Sequence, residues 1–361
     1  MDILYLIAYA GKAGTEKYVA ERMEAYTRAG DTCRLVYDTA GPLSDYCRER
    51  GWPALRVEMR PSRALSAARE LAAYCREQGV EIIHAQYPRE NVIALLASVF
   101  CPGVRVFFTS HLTITQGALW RAANRLLSPR NAAVIAVCTR GAELLRRNGV
   151  RPEKIRVIFN GVEPCPALPS PCLFREEYAI APDTVLFLTM ARYAPEKGLN
   201  ELLEAVYLLK SRTSKPFCCV IAGDGEEYEA ITERIRELGL ERTVIQTGYR
   251  EDREVLLAAA DVYVSSSLYH EAMSYSILEA MSAARPLAVT DVGAGAELAA
   301  HCGFVSPPGD AEAMAEHLHI LLEDDALRGS LGSAARERAE SIFSLSDSLE
   351  RLHSLYETTI G

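Results

Sequence analysis

Two glutamates separated by seven residues mark the stretch with the clearest chemical potential, residues 265–297. Glu271 falls in a loop after a short apolar run, and Glu279 falls in the helix that follows. Ser274 or Ser276 can cap that helix, whose free amides and positive dipole end suit a phosphate. Acids there would repel a phosphate unless they bind something else, and a carboxylate can accept two hydrogen bonds from a vicinal diol. The spacing therefore predicts a site for sugar or ribose hydroxyls.

Each acid also has a plainer interpretation. Ser276 and Glu279 fit the S-x-x-E pattern of a capping box, in which the glutamate would only stabilise the start of the helix. Glu271 by itself could be a solvated loop acid. The choice between these interpretations depends on what else the chain provides.

A pair of cations brackets a turn after another apolar run, in the sequence Ala-Arg-Tyr-Ala-Pro-Glu-Lys-Gly. The planar guanidinium of Arg192 and the mobile ammonium of Lys197 can together hold a diphosphate and neutralise the charge that builds as it leaves. Either side chain alone would be an ordinary surface cation. The next apolar run ends in a tight Gly-Asp-Gly turn at 223–225, where small residues are favoured for architectural reasons.

Three candidates in the first half also follow apolar runs. Gly14 lies in a G-x-x-G turn, which is not the dinucleotide fingerprint and is typical of a plain strand-to-helix turn. His84 and His111 each follow a run, at the end where parallel strands deliver residues to the ligand edge of a sheet. His111 is the stronger candidate because a long loop follows it, although either ring could be structural.

Short apolar runs alternate with helical patterns along the whole chain, which predicts parallel, doubly wound sheets. The length of 361 residues suits two domains, and four prolines at 164, 166, 169 and 171 mark a linker. We therefore predict an α/β protein with two Rossmann-like domains that face each other across a cleft. The predicted strands lie near 2–8, 32–37, 54–58, 81–85, 104–109, 133–137, 155–158, 184–190, 217–222, 243–247, 261–264, 286–290 and 303–305.

The composition, with 49% hydrophobic and 24% charged residues, is that of a globular protein. The start, MDILYLIAYAG, predicts a first strand rather than a signal peptide, and no apolar run approaches the roughly 20 residues of a spanning helix. Ten scattered cysteines without a C-x-x-C pair favour reduced, buried thiols. We therefore expect a cytoplasmic protein.

The net charge of −9 hides a difference between the two halves. Residues 1–160 hold 23 Lys and Arg against 15 Asp and Glu, whereas residues 161–361 hold 16 against 33. A basic first half indicates an anionic surface or acceptor, although solvated faces can also drift apart in sign.

Residues 116–128 form an amphipathic helical pattern in this basic half. One face carries Leu119, Ala122, Ala123, Leu126 and Leu127, the other carries Arg121 and Arg125, and Trp120 borders the two. The helix could simply cover the sheet. The alternative, favoured by the basic half, is an interfacial helix that touches anionic lipid or the acceptor.

In combination these residues resemble the family 4 retaining glycosyltransferases of the GT-B fold, over nearly the whole chain. The first half matches more loosely than the second, through Gly14-Thr15-Glu16 and His111. Many relatives carry a glycine-containing loop after the first glutamate, where this chain has Ala-Met-Ser-Tyr at 272–275. The resemblance rests on R-x-x-x-x-K-G at 192–198, Gly-Asp-Gly at 223–225, E-x7-E at 271–279, Glu-Ala-Met at 279–281, and Asn-Gly-Val at 160–162.

The resemblance implies an acceptor-binding domain over 1–163, a donor-binding domain over 164–343, and a helix over 344–361 that crosses back to the first domain. It implies transfer of a hexose-type sugar from a nucleotide diphosphate sugar, with UDP favoured and GDP possible, and with retention at the anomeric carbon. Arg192 and Lys197 would hold the diphosphate and Glu271 the donor sugar hydroxyls, with His111 as a further catalytic candidate. The donor-binding residues would be Gly14, Gly223, Ser274, Tyr275, Ser276 and Glu279, the last on the ribose.

No cofactor beyond the nucleotide sugar and no nucleic acid partner is expected. The chain has no Asp-x-Asp motif and no His/Cys cluster, which argues against a required metal. The implied product belongs to cell-surface polysaccharide, lipopolysaccharide or glycolipid, made at the inner face of the cytoplasmic membrane. Two alternatives stay open: a sugar-nucleotide epimerase of the same architecture, and a non-catalytic protein that binds a sugar nucleotide.

Overall fold

The computed structural model describes residues 1–360, which form two compact units, one of residues 1–160 with the chain from Ser346 onward and one of Gly161–Leu345. The first unit contains a parallel sheet of seven strands: β1 (Asp2–Tyr9), β2 (Thr32–Thr39), β3 (Ala54–Arg56), β4 (Ile82–Ala85), β5 (Arg105–Ser110), β6 (Ala133–Ala136) and β7 (Ile155–Val157). The helices between them are α1 (Gly14–Arg28), α2 (Pro42–Glu49), α3 (Ala64–Gln78), α4 (Pro88–Phe100), α5 (Ala118–Leu127) and α6 (Thr139–Arg147).

The strand order in this sheet is β3-β2-β1-β4-β5-β6-β7. Helices cover both faces of a doubly wound sheet, so its strands are apolar without alternation, and Ile3 to Ile7 of β1 are fully buried. The order reverses between β1 and β4. Ligands of such sheets bind at the carboxyl ends of the strands beside this switch point.

The second unit contains a parallel sheet of six strands: β8 (Val185–Met190), β9 (Phe217–Ala222), β10 (Val244–Gly248), β11 (Val262–Ser265), β12 (Leu287–Thr290) and β13 (Gly303–Ser306). Its order is β10-β9-β8-β11-β12-β13, so its switch point lies between β8 and β11. The helices of this unit are α7 (Cys172–Glu177), α8 (Leu199–Arg212), α9 (Tyr228–Glu237), α10 (Arg253–Ala259), α11 (Tyr275–Ser282), α12 (Gly295–Ala299), α13 (Ala311–Glu323) and α14 (Asp325–Ser341).

The predicted α/β class is confirmed, since all the strands expected from the sequence are present and their ends differ by no more than two residues.

The chain enters and leaves the second unit at one place, where Val162 N–H donates to Phe343 O at 2.8 Å and Leu345 N–H donates to Val162 O at 3.0 Å. Eight of the ten cysteines are buried and all ten are free. Among residues 1–360, no helix combines the length and the apolar character that crossing a membrane requires.

The last helix, α15 (Leu345–Ile360), packs on the sheet of the first unit. Leu352 and Tyr356 are fully buried, and the Tyr356 ring meets Phe107 of β5 edge to face at 4.8 Å between centroids. Tyr26 of α1 donates to the Leu349 carbonyl at 2.8 Å. Leu352 and Tyr356 therefore lie on the face that α15 turns toward α1 and β5.

Candidate functional site

The switch point of the second unit brings together a lysine and a glutamate from two different loops. Lys197 ends a short 3-10 turn after β8, and Glu271 lies in the loop after β11. The Lys197 Nζ atom is 2.5 Å from Glu271 Oε2, and Ser267 Oγ donates to the same oxygen at 3.2 Å. Both charged side chains are about one-fifth exposed, so the pair is reachable by a ligand and only partly screened by water.

Backbone contacts hold these two loops in register. Leu268 N–H donates to Glu196 O at 2.8 Å, and Ser266 Oγ donates to Lys197 O at 2.9 Å. Gly198 has a φ of +61°, and a Cβ there would lie 2.3 Å from Ser266 O. Only glycine allows both this conformation and this close approach. The backbone at Lys197 is therefore held against the loop after β11.

A third loop, which sequence reasoning left without a role, supports Glu271 from the other side. Gly293 has a φ of +56°, and a Cβ there would lie 2.4 Å from Glu271 O. Ala294 N–H donates to Ala272 O at 2.7 Å. The glycines at 293 and 295 indicate a close approach of this loop to other backbone, but the sequence does not show what they pack against.

Arg192 pairs with Glu196 within its own turn, and its side chain is largely exposed. Each cation of the predicted diphosphate grip is thus bound to a carboxylate, Arg192 to Glu196 and Lys197 to Glu271. A bound anion would have to compete with these carboxylates. Gly223 lies beside the same turn, because a Cβ there would lie 1.8 Å from Ala191 O, and its N–H donates to Gly248 O at 2.9 Å.

The capping-box interpretation of Glu279 is wrong. α11 begins at Tyr275 with Ser274 as its N-cap residue, so Ser276 lies inside the first turn and cannot be the cap. The Oγ atoms of Ser274 and Ser276 are 3.0 Å apart, and no side chain caps the helix. Glu279 instead pairs with Arg253 of α10 at 2.9 Å. Arg253 was missed because it lies far from Glu279 in the chain.

At the switch point of the first unit, His111 is held by a buried glutamine. Gln86 Nε2 donates to the His84 carbonyl at 3.0 Å, so Gln86 Oε1 faces His111 Nε2, at 2.9 Å. An amide oxygen only accepts, and therefore His111 Nε2 carries the proton. Desolvation and then the Arg22 charge lower the pKa of His111 to about 3, which keeps the ring neutral. Its Nδ1 has no partner among residues 1–360 and can accept a hydrogen bond from a hydroxyl.

His84 has the structural role that the sequence left open. Its ring is fully buried, with Nδ1 bonded to the Tyr356 hydroxyl and Nε2 to Thr109 Oγ1 at 2.7 Å. Desolvation, with Arg22 and His111, holds its pKa well below the usual range. Gly14 is the first residue of α1, directly after Ala13, whose N–H donates to Glu16 Oε2 at 3.0 Å.

The interpretation of residues 116–128 as a helix that only covers the sheet is wrong. No residue of α5 is buried, and Leu119 and Leu126 are 84% and 77% exposed. A polar contact helps to attach the helix, because Asn124 Nδ2 donates to Asn148 O at 2.9 Å. Trp120 is 41% exposed, and Arg121 and Arg125 are exposed. Leu119 and Leu126 therefore face solvent, whereas Leu127 at the end of the helix packs against the core of the first unit.

Solved structures with this fold include a glycosyltransferase from Rickettsia africae ESF-5, with a TM-score of 0.87 and 21% identity over 99% of this chain and 98% of that one. Anabaena HepE in complex with UDP matches with a TM-score of 0.89 and 21% identity over 99% and 100%. The UDP-glucose complex of HepE gives a TM-score of 0.85 at 21% identity, with 99% and 100% covered. Two doubly wound parallel units of this kind make up the GT-B fold.

Family models give the more specific assignment. The model for glycosyl transferase 4-like domains matches residues 13–161, and the model for group 1 glycosyl transferases matches residues 173–338. An Escherichia coli relative, UDP-Gal:alpha-D-GlcNAc-diphosphoundecaprenol alpha-1,3-galactosyltransferase, is 22% identical over 95% of this chain and 93% of its own length. The chain belongs to the family 4 glycosyltransferases, enzymes of glycan biosynthesis.

Proposed function

We propose that this glycosyltransferase moves a hexose-type sugar from a nucleotide diphosphate sugar to an acceptor hydroxyl, with retention at the anomeric carbon. The observation that carries the proposal is the pair of Lys197 and Glu271 at the switch point between β8 and β11. A cation for phosphate and an acid for hydroxyls lie there side by side. UDP is the favoured nucleotide, since HepE was crystallised with UDP-glucose and the E. coli relative is named for UDP-Gal. GDP is the second choice.

On the donor side, Arg192 and Lys197 bind the diphosphate, and Glu271 accepts hydrogen bonds from the sugar hydroxyls. Glu279, oriented by Arg253, binds the ribose diol. The start of α11, at Ser274, Tyr275 and Ser276, has the polarity that suits a phosphate. Gly14 and Gly223 stay predicted backbone contacts of the donor.

In the reaction, the acceptor hydroxyl oxygen bonds to the anomeric carbon while the bond from that carbon to the diphosphate oxygen breaks. The hydroxyl proton passes to a departing phosphate oxygen, on the same face of the sugar, so that the configuration is retained. Arg192 and Lys197 neutralise the charge that grows on the diphosphate, which makes the proposed mechanism metal-independent. His111 contributes its Nδ1 as an acceptor for a substrate hydroxyl.

The acceptor is proposed to be a glycan or a lipid-linked glycan that the first unit binds. Cell-surface polysaccharide, lipopolysaccharide and glycolipid are the product classes that fit, made at the inner face of the cytoplasmic membrane. The basic character of residues 1–160 suits an anionic acceptor or the surface that presents it.

A screen of UDP-, GDP- and ADP-hexoses, with and without glycan acceptors, tests the proposal. We expect transfer from one UDP-hexose, with release of UDP that depends on the acceptor. NMR of the product distinguishes retention from inversion. Epimerised sugar nucleotide in the absence of acceptor would identify an epimerase, and tight binding without turnover of any donor would identify a binding protein.

A further inference from the structure

A corner of the first unit exposes five large apolar side chains within residues 112–126. The loop before α5 exposes Leu112 and Ile114, and α5 itself exposes Leu119, Trp120 and Leu126. Leu119 is 84% exposed and Leu126 is 77% exposed. Apolar clusters of this kind on a folded protein mark sites that bind a partner or a membrane.

The same corner carries arginines without acidic partners. Six exposed arginines lie on α5, just after it, and at the end of α6, and none of them has an ion pair among residues 1–360. Between residues 112 and 151 the only acid is Glu143. Some exposed arginines elsewhere in this unit do pair, as Arg28 does with Glu24 and Arg48 with Asp45. The six arginines are Arg121, Arg125, Arg130, Arg146, Arg147 and Arg151.

Asn148 at the end of α6 joins these parts into one surface. Its Oδ1 accepts from Gln116 N–H at 2.9 Å, and its Nδ2 donates to Ile114 O at 2.8 Å. Its backbone carbonyl accepts from Asn124 of α5 at 2.9 Å. The preceding loop, α5 and the end of α6 are thus tied at a single residue, so the apolar and basic side chains are held together.

The exposed face of α5 has the geometry of an interfacial helix. Leu119, Ala122 and Leu126 follow the i, i+3, i+7 spacing of one face, and Arg121 and Arg125 run along its edge. At a membrane surface such leucines insert among the acyl chains and such arginines meet the phosphates of the head groups. With ten residues, α5 lies on a bilayer and does not span it.

We infer that this corner, residues 112–130 with the end of α6, binds reversibly to an anionic membrane surface. The six arginines favour an anionic binding partner. The outward-facing leucines favour a bilayer over a nucleic acid or an acidic protein. The inference concerns where the enzyme works, and it does not depend on the identity of the donor sugar.

Flotation of the full-length protein with vesicles tests the inference. Vesicles of equal parts phosphatidylcholine and phosphatidylglycerol should carry the protein at low salt, and added salt should weaken this binding. Vesicles of phosphatidylcholine alone should not carry it. In a Trp52→Phe variant, Trp120 is the only tryptophan, and its fluorescence should shift to shorter wavelength when the anionic vesicles are added.

Two pairs of substitutions at exposed positions separate the apolar contribution to membrane binding from the electrostatic one. Leu119→Ser with Leu126→Ser keeps the charge, and Arg121→Glu with Arg125→Glu keeps the leucines. Each pair should weaken partition by on the order of tenfold or more. The matched controls, Leu65→Ser with Leu173→Ser and Arg105→Glu with Arg242→Glu, change exposed side chains elsewhere and should float as the wild type does.

Failure of the wild type to float at low salt would overturn the inference. Binding that the serine pair leaves unchanged would also overturn it, because the contact would then be purely electrostatic. Lys197→Ala should float normally, so a failed donor assignment and a failed membrane assignment give different results.

Discussion

The two switch points of this protein use charge in opposite ways. In the second unit, Lys197 and Glu271 form a half-buried ion pair between two loops. In the first unit, His111 is neutral and bonded to the uncharged Gln86, while the nearby Arg22 is buried against the Tyr18 ring. The same strand order therefore supports two chemistries. A charged pair suits a diphosphate and its sugar, and a neutral ring suits a hydroxyl that must keep its proton until transfer.

Lys197→Ala tests the charged side and should have the largest effect. The ammonium stabilises charge that grows as the diphosphate leaves, so kcat should fall by about 10²- to 10³-fold with a smaller change in donor binding. Steady-state kinetics with the best donor measures both. Lys210→Ala, which removes an exposed lysine of α8, should leave kcat unchanged. An unaltered kcat in Lys197→Ala would remove the diphosphate assignment.

Gln86→Glu tests whether His111 has to be neutral, through the pH dependence of kcat/KM. With a pKa of about 3, wild-type His111 stays unprotonated, so this ring should add no acid limb to kcat/KM between about pH 5 and pH 8. A carboxylate against Nε2 raises the pKa of His111, and protonation then blocks Nδ1 as pH falls. Activity should drop by about tenfold per pH unit below the new pKa.

Gln86→Met is the control for this experiment. It removes the hydrogen bond without adding charge, so it should lower activity at every pH and leave the profile flat. An acid limb in both variants would show that the limb comes from another group. The charged or titratable groups around the ring are Arg22, Tyr18, Tyr87 and His84.

Glu279→Gln should weaken nucleotide binding by about tenfold, since a neutral amide replaces charge-assisted hydrogen bonds to the ribose diol. The glutamine can still accept from Arg253, so the fold should be unaffected. Calorimetry with the nucleoside diphosphate measures the change. Glu204→Gln, which alters a surface acid paired with Arg234, is the matched control. Wild-type affinity in Glu279→Gln would mean that Glu279 does not bind the ribose and only contacts Arg253.

Tyr356→Phe should act on stability rather than on turnover. It leaves His84 Nδ1 buried without its partner, at a cost of about 1 to 3 kcal/mol. Denaturant unfolding measures this loss, and Tyr207→Phe at an exposed position should show none. Equal stability of the two variants would mean that water or a rearrangement replaces the bond.

The strands were predictable because a doubly wound sheet, buried on both faces, imposes uninterrupted apolar runs. Their order was not, since the pairing of β8 with β11 joins segments far apart in the chain. The partner of Glu279 was hidden for the same reason, because Arg253 lies on another helix. The α5 pattern left two interpretations open because amphipathic spacing does not say which face is buried, and the contact of Asn124 with Asn148 gave no signal in the sequence.

The candidate site residues themselves could be proposed from the sequence, because residue type and position after a strand indicate chemistry. Lys197 and Glu271 were both singled out in this way, from separate loops. Their direct contact was not foreseen, since it depends on Gly198 and Gly293 bringing three loops together. Gln86 gave no signal, because nothing in its sequence context shows that it faces His111.

The central claim is that Lys197 and Glu271 hold the diphosphate and the sugar of the same donor. Calorimetry of Glu271→Gln, with the accepted sugar nucleotide and with its nucleoside diphosphate alone, tests this most directly. The account predicts that the diphosphate binds as tightly as to the wild type or more tightly, because Lys197 loses its competing carboxylate. The sugar nucleotide should lose the additional affinity that its sugar provides. Unchanged binding of both ligands, or equal weakening of both, would contradict the claim.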